Sequence, residues 1–183
     1  MKISPNFFVI SDLHLWHGKI TEFENRPPNH QSLIVKRWNK VVGAEDSVLC
    51  LGDLTFGSKE QTKSITSKLN GKKFLIRGNH DGKSDTWYRD VFFEPTNCVY
   101  KSFKNKYDVK IKTLLTHVPV VPLPEGWLNI HGHVHSEERR DEFALSNGHY
   151  NICCEPLDFT PIKIKVILDD FYKKALDRGA HWG

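Results

Sequence analysis

Eight polar residues in this chain have the chemistry to hold metal ions or to work beside them: Asp12 and His14, Asp53, Asn79 with His80, His117, and His133 with His135. Carboxylate oxygens and imidazole nitrogens dominate the set, and no thiolate belongs to it. Mixed ligation of that kind suits manganese, iron, zinc, nickel or cobalt better than calcium or a soft metal. A carboxylate has two oxygens and can bridge two cations, an imidazole binds through one nitrogen, and an asparagine offers a neutral carbonyl. So many donors call for more than one cation. Asp12 and His14 are two residues apart, as are His133 and His135. Neighbours at that spacing share a face in extended backbone, so each pair is expected to reach one ion from an extended segment.

The elements that must position these groups stand just before them. Phe7-Phe8-Val9-Ile10 precedes Asp12, Val48-Leu49-Cys50-Leu51 precedes Asp53, and Phe74-Leu75-Ile76 precedes Asn79. Leu114-Leu115 precedes His117, and Leu128-Asn129-Ile130 precedes His133. If these runs are strands of one sheet, every polar group falls just past a carboxyl end, where open α/β sheets place their ligands. Five strand ends then converge on one pocket.

Between the strands, helical spacing predicts a helix over about 31–42 with Ile34, Trp38, Val41 and Val42 on its inner face. A second is expected over about 59–69, ended by Asn70-Gly71. A third is capped by Ser84 or Asp85, with Trp87, Tyr88, Val91 and Phe92 facing inward. Farther on, 109–115 reads as a strand whose other side carries Lys110 and Lys112. Tyr150, Ile152 and Cys154 alternate with more polar neighbours, and Ile162, Ile164 and Val166 alternate with Lys163 and Lys165, a half-buried strand pattern. A closing helix from about Asp169 is expected to bury Phe171, Tyr172, Ala175 and Leu176. The sum is an α/β chain with two sheets packed together and helices outside.

At 183 residues, one domain over 1–183 is expected. Charged residues make up 26% and hydrophobic ones 39%, as in ordinary globular proteins. No stretch approaches the roughly 20 apolar residues of a membrane span. The N-terminal Met1-Lys2-Ile3-Ser4-Pro5 lacks the apolar region of a signal peptide, so a cytoplasmic location without membrane association is expected. Cys50, Cys98, Cys153 and Cys154 then read as reduced thiols, with no C-x-x-C pair for structural zinc. The net charge of +4 fits anionic substrates without arguing for dedicated nucleic-acid binding.

Taken together, the motifs resemble those of the calcineurin-like metallophosphoesterases: D-x-H at Asp12-Leu13-His14, G-D at Gly52-Asp53, G-N-H-D at Gly78-Asn79-His80-Asp81, then His117, and G-H-x-H at Gly132-His133-Val134-His135. A lone G-D or H-x-H is weak; all of them in order over Asp12 to His135 are highly specific. Ser11 before Asp12, His17, the Asn25-Arg26-Pro27 turn and Arg77 before Gly78 further resemble a small subgroup of bacteria and their phages.

The resemblance implies a four-layer α/β/β/α sandwich holding two divalent cations, manganese first among the candidates. One ion would be held by Asp12, His14, Asp53 and His135, the other by Asp53, Asn79, His117 and His133, with Asp53 shared. Two such ions about 3.5–4 Å apart bind phosphoryl oxygens and activate a water for in-line attack, hydrolysing a P–O ester bond. His80, beside a ligand but outside the ligand set, is expected to protonate the leaving oxygen, with Asp81 orienting its ring.

Asn79, His17, Arg26 and Arg77 are candidate substrate contacts. His17 reads equally as a group packed behind His14, and each arginine equally as a turn residue held by a carboxylate. His131 is expected behind the ligands, and His30, His149 and His181 at the surface or in packing. Lys101, Lys104, Lys106, Lys110 and Lys112 read as a solvated face, since only Phe103 and Tyr107 interleave with them. The expected substrate is a phosphate ester, phosphodiesters of nucleotide or nucleic-acid type being favoured slightly over small monoesters. The alternatives are a monoesterase of small metabolites, a non-catalytic scaffold of the same fold, and a protein whose main task is binding nucleic acid.

Overall fold

The computed structural model describes residues 2–179; His181 lies outside them. In chain order the elements are β1 (Phe8–Ile10), α1 (Ile20–Phe23), α2 (His30–Val41), β2 (Ser47–Cys50), α3 (Lys59–Thr66), β3 (Lys72–Ile76) and α4 (Asp85–Asp90). There follow β4 (Glu94–Thr96), β5 (Val99–Lys104), β6 (Lys110–Thr116), β7 (Trp127–His131), a 3₁₀ turn at Glu137–Arg139, β8 (His149–Asn151), β9 (Ile162–Lys163) and α5 (Ile164–Asp177). The strands form two sheets. The first runs β4-β3-β2-β1-β9, parallel except for β9, and the second β5-β6-β7-β8, parallel except for β5.

The five polar-tipped runs are therefore shared between two sheets, with β1, β2 and β3 in one and β6 and β7 in the other, rather than gathered in one. Period-two alternation tells the faces apart. Phe8, Ile10, Val48, Cys50 and Leu75 turn outward beneath Ile34 and Trp38 of α2 and Tyr88 of α4. Val9, Leu49, Leu51 and Ile76 turn inward against Ile111, Leu115, Leu128 and Ile130 of the second sheet, where Ile164, Ile167 and Leu168 of α5 join them. The expected α/β class and pair of packed sheets are present. No helix among the described residues is long and apolar enough to cross a membrane.

Local chemistry sets the helix starts. Ser58 and Gln61 make reciprocal cap bonds at α3, and Ser84, rather than Asp85, caps α4 by accepting from the Trp87 N–H. Gly71 turns the chain into β3 with φ +82°, a conformation that a β-carbon disfavours.

Several sequence expectations are corrected. The strand expected through Ile162, Ile164 and Val166 stops at Lys163, and α5 starts at Ile164, five residues before Asp169. Helical spacing then buries Ile164, Ile167, Leu168 and Phe171, leaving Val166 and Leu176 exposed. Both periods fit this short segment, and contact with the inter-sheet core selects the helix. Val41 and Phe92 are also exposed, because α2 turns Val42 inward and α4 ends before Phe92. Other expectations are met: of the two alternatives left open for them, His30 and His149 take packing, being buried, and all four thiols are free, Cys98 exposed and the other three buried.

Candidate metal centre

Ladder bonds carry the β1–β2 pairing past the strand ends: Asp12 N–H donates to Gly52 O, His14 N–H to Asp53 O and Leu15 N–H to Leu54 O. Within this continuation the backbone is not extended. Asp12, His14, Asp53, His133 and His135 all have left-handed φ, between 45° and 70°. The D-x-H and H-x-H pairs thus converge through left-handed turns and not, as expected, through a shared strand face. Each such residue costs about 1–2 kcal/mol in backbone conformation. That cost buys direction: side chains that would point into either sheet are swung over its edge.

Both carboxylates are divided in their duties. Asp12 Oδ2 accepts from His133 N–H at 2.9 Å and from the Cys153 thiol at 3.2 Å, whereas Oδ1 is buried without a hydrogen-bond partner. Asp53 Oδ1 accepts from His80 N–H at 3.0 Å, and Oδ2 faces His14 Nε2 at 3.6 Å, His117 Nε2 at 3.5 Å and His80 Nε2 at 3.9 Å. Asp12 Oδ1 stands 3.4 Å from His14 Nε2 and 3.6 Å from His135 Nε2. These contacts, at the limit of hydrogen-bond length or beyond it, leave Asp12 Oδ1 and both His14 nitrogens without a hydrogen-bond partner. Leaving such groups buried and unpaired is costly unless a cation satisfies them. Asp12, His14 and His135 form one cluster with donor atoms close enough for a single ion, and Asp12, Asp53 and His117 a second. The donor set fits divalent metal.

Charge and backbone brace the cluster. Burial opposes ionisation of Asp12, yet His14, His117 and His135 hold its carboxyl well below the usual range. His117 Nδ1 bonds Leu51 O at 2.7 Å and His135 Nδ1 lies 3.3 Å from Glu155, which turns each Nε2 to the carboxylates. A β-carbon on Gly78 would fall 2.2 Å from Asp53 Oδ1, and one on Gly132 2.4 Å from Asp12 Oδ2. Only glycine permits these approaches.

The structure brings Asn79 to the same place, with Oδ1 2.9 Å from His117 Nε2, and sets the His133 ring 5.2 Å from that of His117. His80 reaches the cluster from the mouth with its side chain half exposed. His17 packs edge-on against Phe56, 5.7 Å from the His14 ring. Arg77 lies in a cleft beside Asn79 and His117, paired with Asp85. His131 is wholly buried behind the loop that carries His133 and His135, its Nδ1 2.9 Å from Gly132 O, and burial pushes its pKa down to about 4.

Two expected roles are corrected. The Asp81 carboxylate does not orient the His80 ring: its oxygens accept the N–H groups of Asp53, Leu54 and Gly78 and the Tyr88 hydroxyl, tying the β2 and β3 loops together. Arg26 is no phosphate contact. It is buried, donating to Asp12 O and Leu13 O and pairing with Glu155 at 2.7 Å.

Residues 5–177 match the calcineurin-like phosphoesterase family. The chain belongs to that family. An uncharacterized protein of Methanocaldococcus jannaschii is 30% identical over 184 aligned residues, covering 94% of this chain and 92% of its own. The Gene 66 protein of Mycobacterium phage D29 is 31% identical over 160 residues, or 72% of this chain and 79% of that one. Among solved structures, a protein of unknown function from Aquifex aeolicus superposes with a TM-score of 0.67 at 28% identity, over 89% of this chain and 97% of that one. Membership in the calcineurin-like family and the clustered Asp and His side chains together support a divalent metal centre acting on a phosphate ester.

For this phosphoesterase, sequence reasoning missed Glu155, Cys153 and Phe56. Glu155 joins Arg26 to His135, Cys153 donates to Asp12, and the exposed Phe56 ring stacks on His14 at 5.5 Å. The first two lie 20 and 18 residues beyond His135 in no recognisable spacing. Phe56, three residues after Asp53, was findable only as an aromatic beside a candidate ligand.

Proposed function

We propose that the chain is a two-cation phosphodiesterase, holding one ion with Asp12, His14, Asp53 and His135 and the other with Asp53, Asn79, His117 and His133. The observation that carries this reading is the free oxygen on each buried carboxylate, Asp12 Oδ1 and Asp53 Oδ2, aimed among orphaned or outward-turned imidazole nitrogens. Divalent cations, manganese foremost and iron, zinc, nickel or cobalt as alternatives, supply Lewis acidity toward phosphoryl oxygens and acidify a water when bound. The chain's own residues do the rest. Asn79, exposed at the mouth, contacts the phosphate. His80 hands its Nε2 proton to the departing ester oxygen and is held at its backbone by Asp53.

Preference for a diester rests on space. One cleft of about 710 Å³ leaves from Asn79 and His117, and another of about 680 Å³ opens beside Glu155, with no lining residue in common. A diester has two arms to place; a monoester has one.

The test compares metal-reconstituted hydrolysis of bis-nitrophenyl phosphate and nitrophenyl phosphate, with metal content measured on the same preparations. Expected is faster turnover of the diester, and loss of both ions and of turnover in Asp53→Ala. Two ions retained by Asp53→Ala would exclude the shared aspartate, and faster monoester turnover would reverse the substrate preference.

A further inference from the structure

The second sheet turns one face to the core and the other outward, and the outward face is chemically unusual near β5 and β6. Register places Ser102 opposite Lys112 and Lys104 opposite Lys110, with Tyr100 opposite Leu114 and Lys112 beside Trp127. Like charges directly across a strand pair destabilise a sheet, so Lys104 against Lys110 is an arrangement that stability alone does not favour. Lys104 has Asp108 as a partner, but no ion pair among the described residues engages Lys110 or Lys112. The aromatics are interleaved in space though not in sequence. Tyr100 lies stacked on Trp127 at 5.0 Å and 11°, and Lys112 Nζ sits 5.6 Å from the Trp127 ring centre. Tyr100 is 58% exposed, so one ring of the stack offers a face to solvent. The aromatics adjacent in sequence do not serve here: Phe103 is buried on the inner face.

Direction makes the patch more than a charged surface. The strand that carries Lys110 and Lys112 is β6, and the residue after its last is His117, one of the clustered imidazoles. Thr116 on the same face lines the cleft that opens at Asn79 and His117. At about 3.3 Å per residue, the stripe from Lys110 to Thr116 is roughly 20 Å long. A positive track with a stacking ring, ending at a phosphoesterase site, matches a flexible polyanion with flat bases.

We infer that the Tyr100, Lys104, Lys110, Lys112 and Trp127 face binds single-stranded nucleic acid and feeds it along β6 into the metal centre. This rests on the phosphodiesterase reading for what happens at the end of the track, and it names the substrate class of that site. Duplex is disfavoured, because its bases are not free to stack on Tyr100.

The experiment measures binding of a labelled 12-nucleotide oligo-dT to the full chain in chelator, so that its result is independent of hydrolysis. Expected is affinity that falls with salt, with a log–log slope shallower by about 1.4 in the Lys110→Ala, Lys112→Ala double variant, at about 0.7 for each phosphate no longer neutralised. Tyr100→Ala weakens binding about 5- to 150-fold. The Lys36→Ala, Lys40→Ala pair, on exposed α2 positions under the other sheet, leaves the slope unchanged. The inference is overturned by undetectable binding at low salt, by equal losses in the α2 pair, by tighter binding of duplex, or by binding to phosphatidylserine vesicles in place of oligo-dT. Binding with no turnover of any diester leaves the track standing and sinks the phosphodiesterase reading. Turnover of bis-nitrophenyl phosphate without oligo-dT binding does the reverse.

Discussion

The two sheets share one apolar interior and differ in almost everything else they present. From the first come both clustered carboxylates, Asp12 and Asp53, together with His14, Asn79 and His80; the second delivers His117, His133 and His135. Outer faces diverge as well. Helices close the first with Ile34, Trp38 and Tyr88, all buried. On the second, Asn129, His131, His149 and Asn151 are buried toward β8, and lysines with Tyr100 meet water toward β5. The first sheet's exterior thus works for stability and the second's for polar contact. Their carboxyl edges meet at one cluster because β1 and β8 extend toward each other, Ser11 N–H donating to Ile152 O and Ser11 bridging to Cys153.

That division can be broken by substitution. The largest effect is expected at the shared edge: His80→Ala lowers turnover about 10²–10⁴-fold with metal content intact, and loses less on substrates with a nitrophenol leaving group. An equal loss on every leaving group would remove the proton donor from His80. On the helix-covered face, Trp38→Ala costs about 3–5 kcal/mol in urea unfolding, because it empties a fully buried site that also anchors Asn70 O through its indole N–H. Behind the imidazoles, Glu155→Gln weakens metal affinity about 10- to 100-fold, since it takes the charge from the contact to His135 and from the Arg26 pair. Titration with manganese against a fluorescent chelator reads this; an unchanged affinity would confine Glu155 to the fold. The smallest effect belongs to the open face. Lys110→Ala shifts stability by less than about 0.5 kcal/mol, in the stabilising direction, by relieving Lys104. A clear destabilisation there would mean that the lysine serves packing.

What could be read from the chain followed from what is local. Each clustered residue sits within a few positions of an apolar strand, so Asp12, Asp53, Asn79 and His117 were recognisable from spacing together with the family motif. Helix α2 was legible from its apolar period, α3 from Asn70-Gly71 beyond its end, and α4 from Ser84 at its start. The misses are long-range. Arg26 finds Glu155 across 129 residues, and Asp81 commits its oxygens to a loop 27 residues away. Nothing near either position announces its partner. The aromatic beside the lysine face was hidden for the same reason: Trp127 reaches Lys112 only through the β6–β7 register. Backbone handedness at Asp12 and His133 was equally hidden, since left-handed turns at non-glycine residues arise where surrounding structure overrides local preference.

The glycines at 78 and 132 carry one further implication. Main chain, not an exchangeable side chain, rests against each clustered aspartate, leaving no room for even a methyl group. Ordinary point substitution at those contacts therefore cannot adjust either acid by degrees; it can only dislodge it. The exposed side chains of Phe56 and Arg77 at the mouth are under no such constraint.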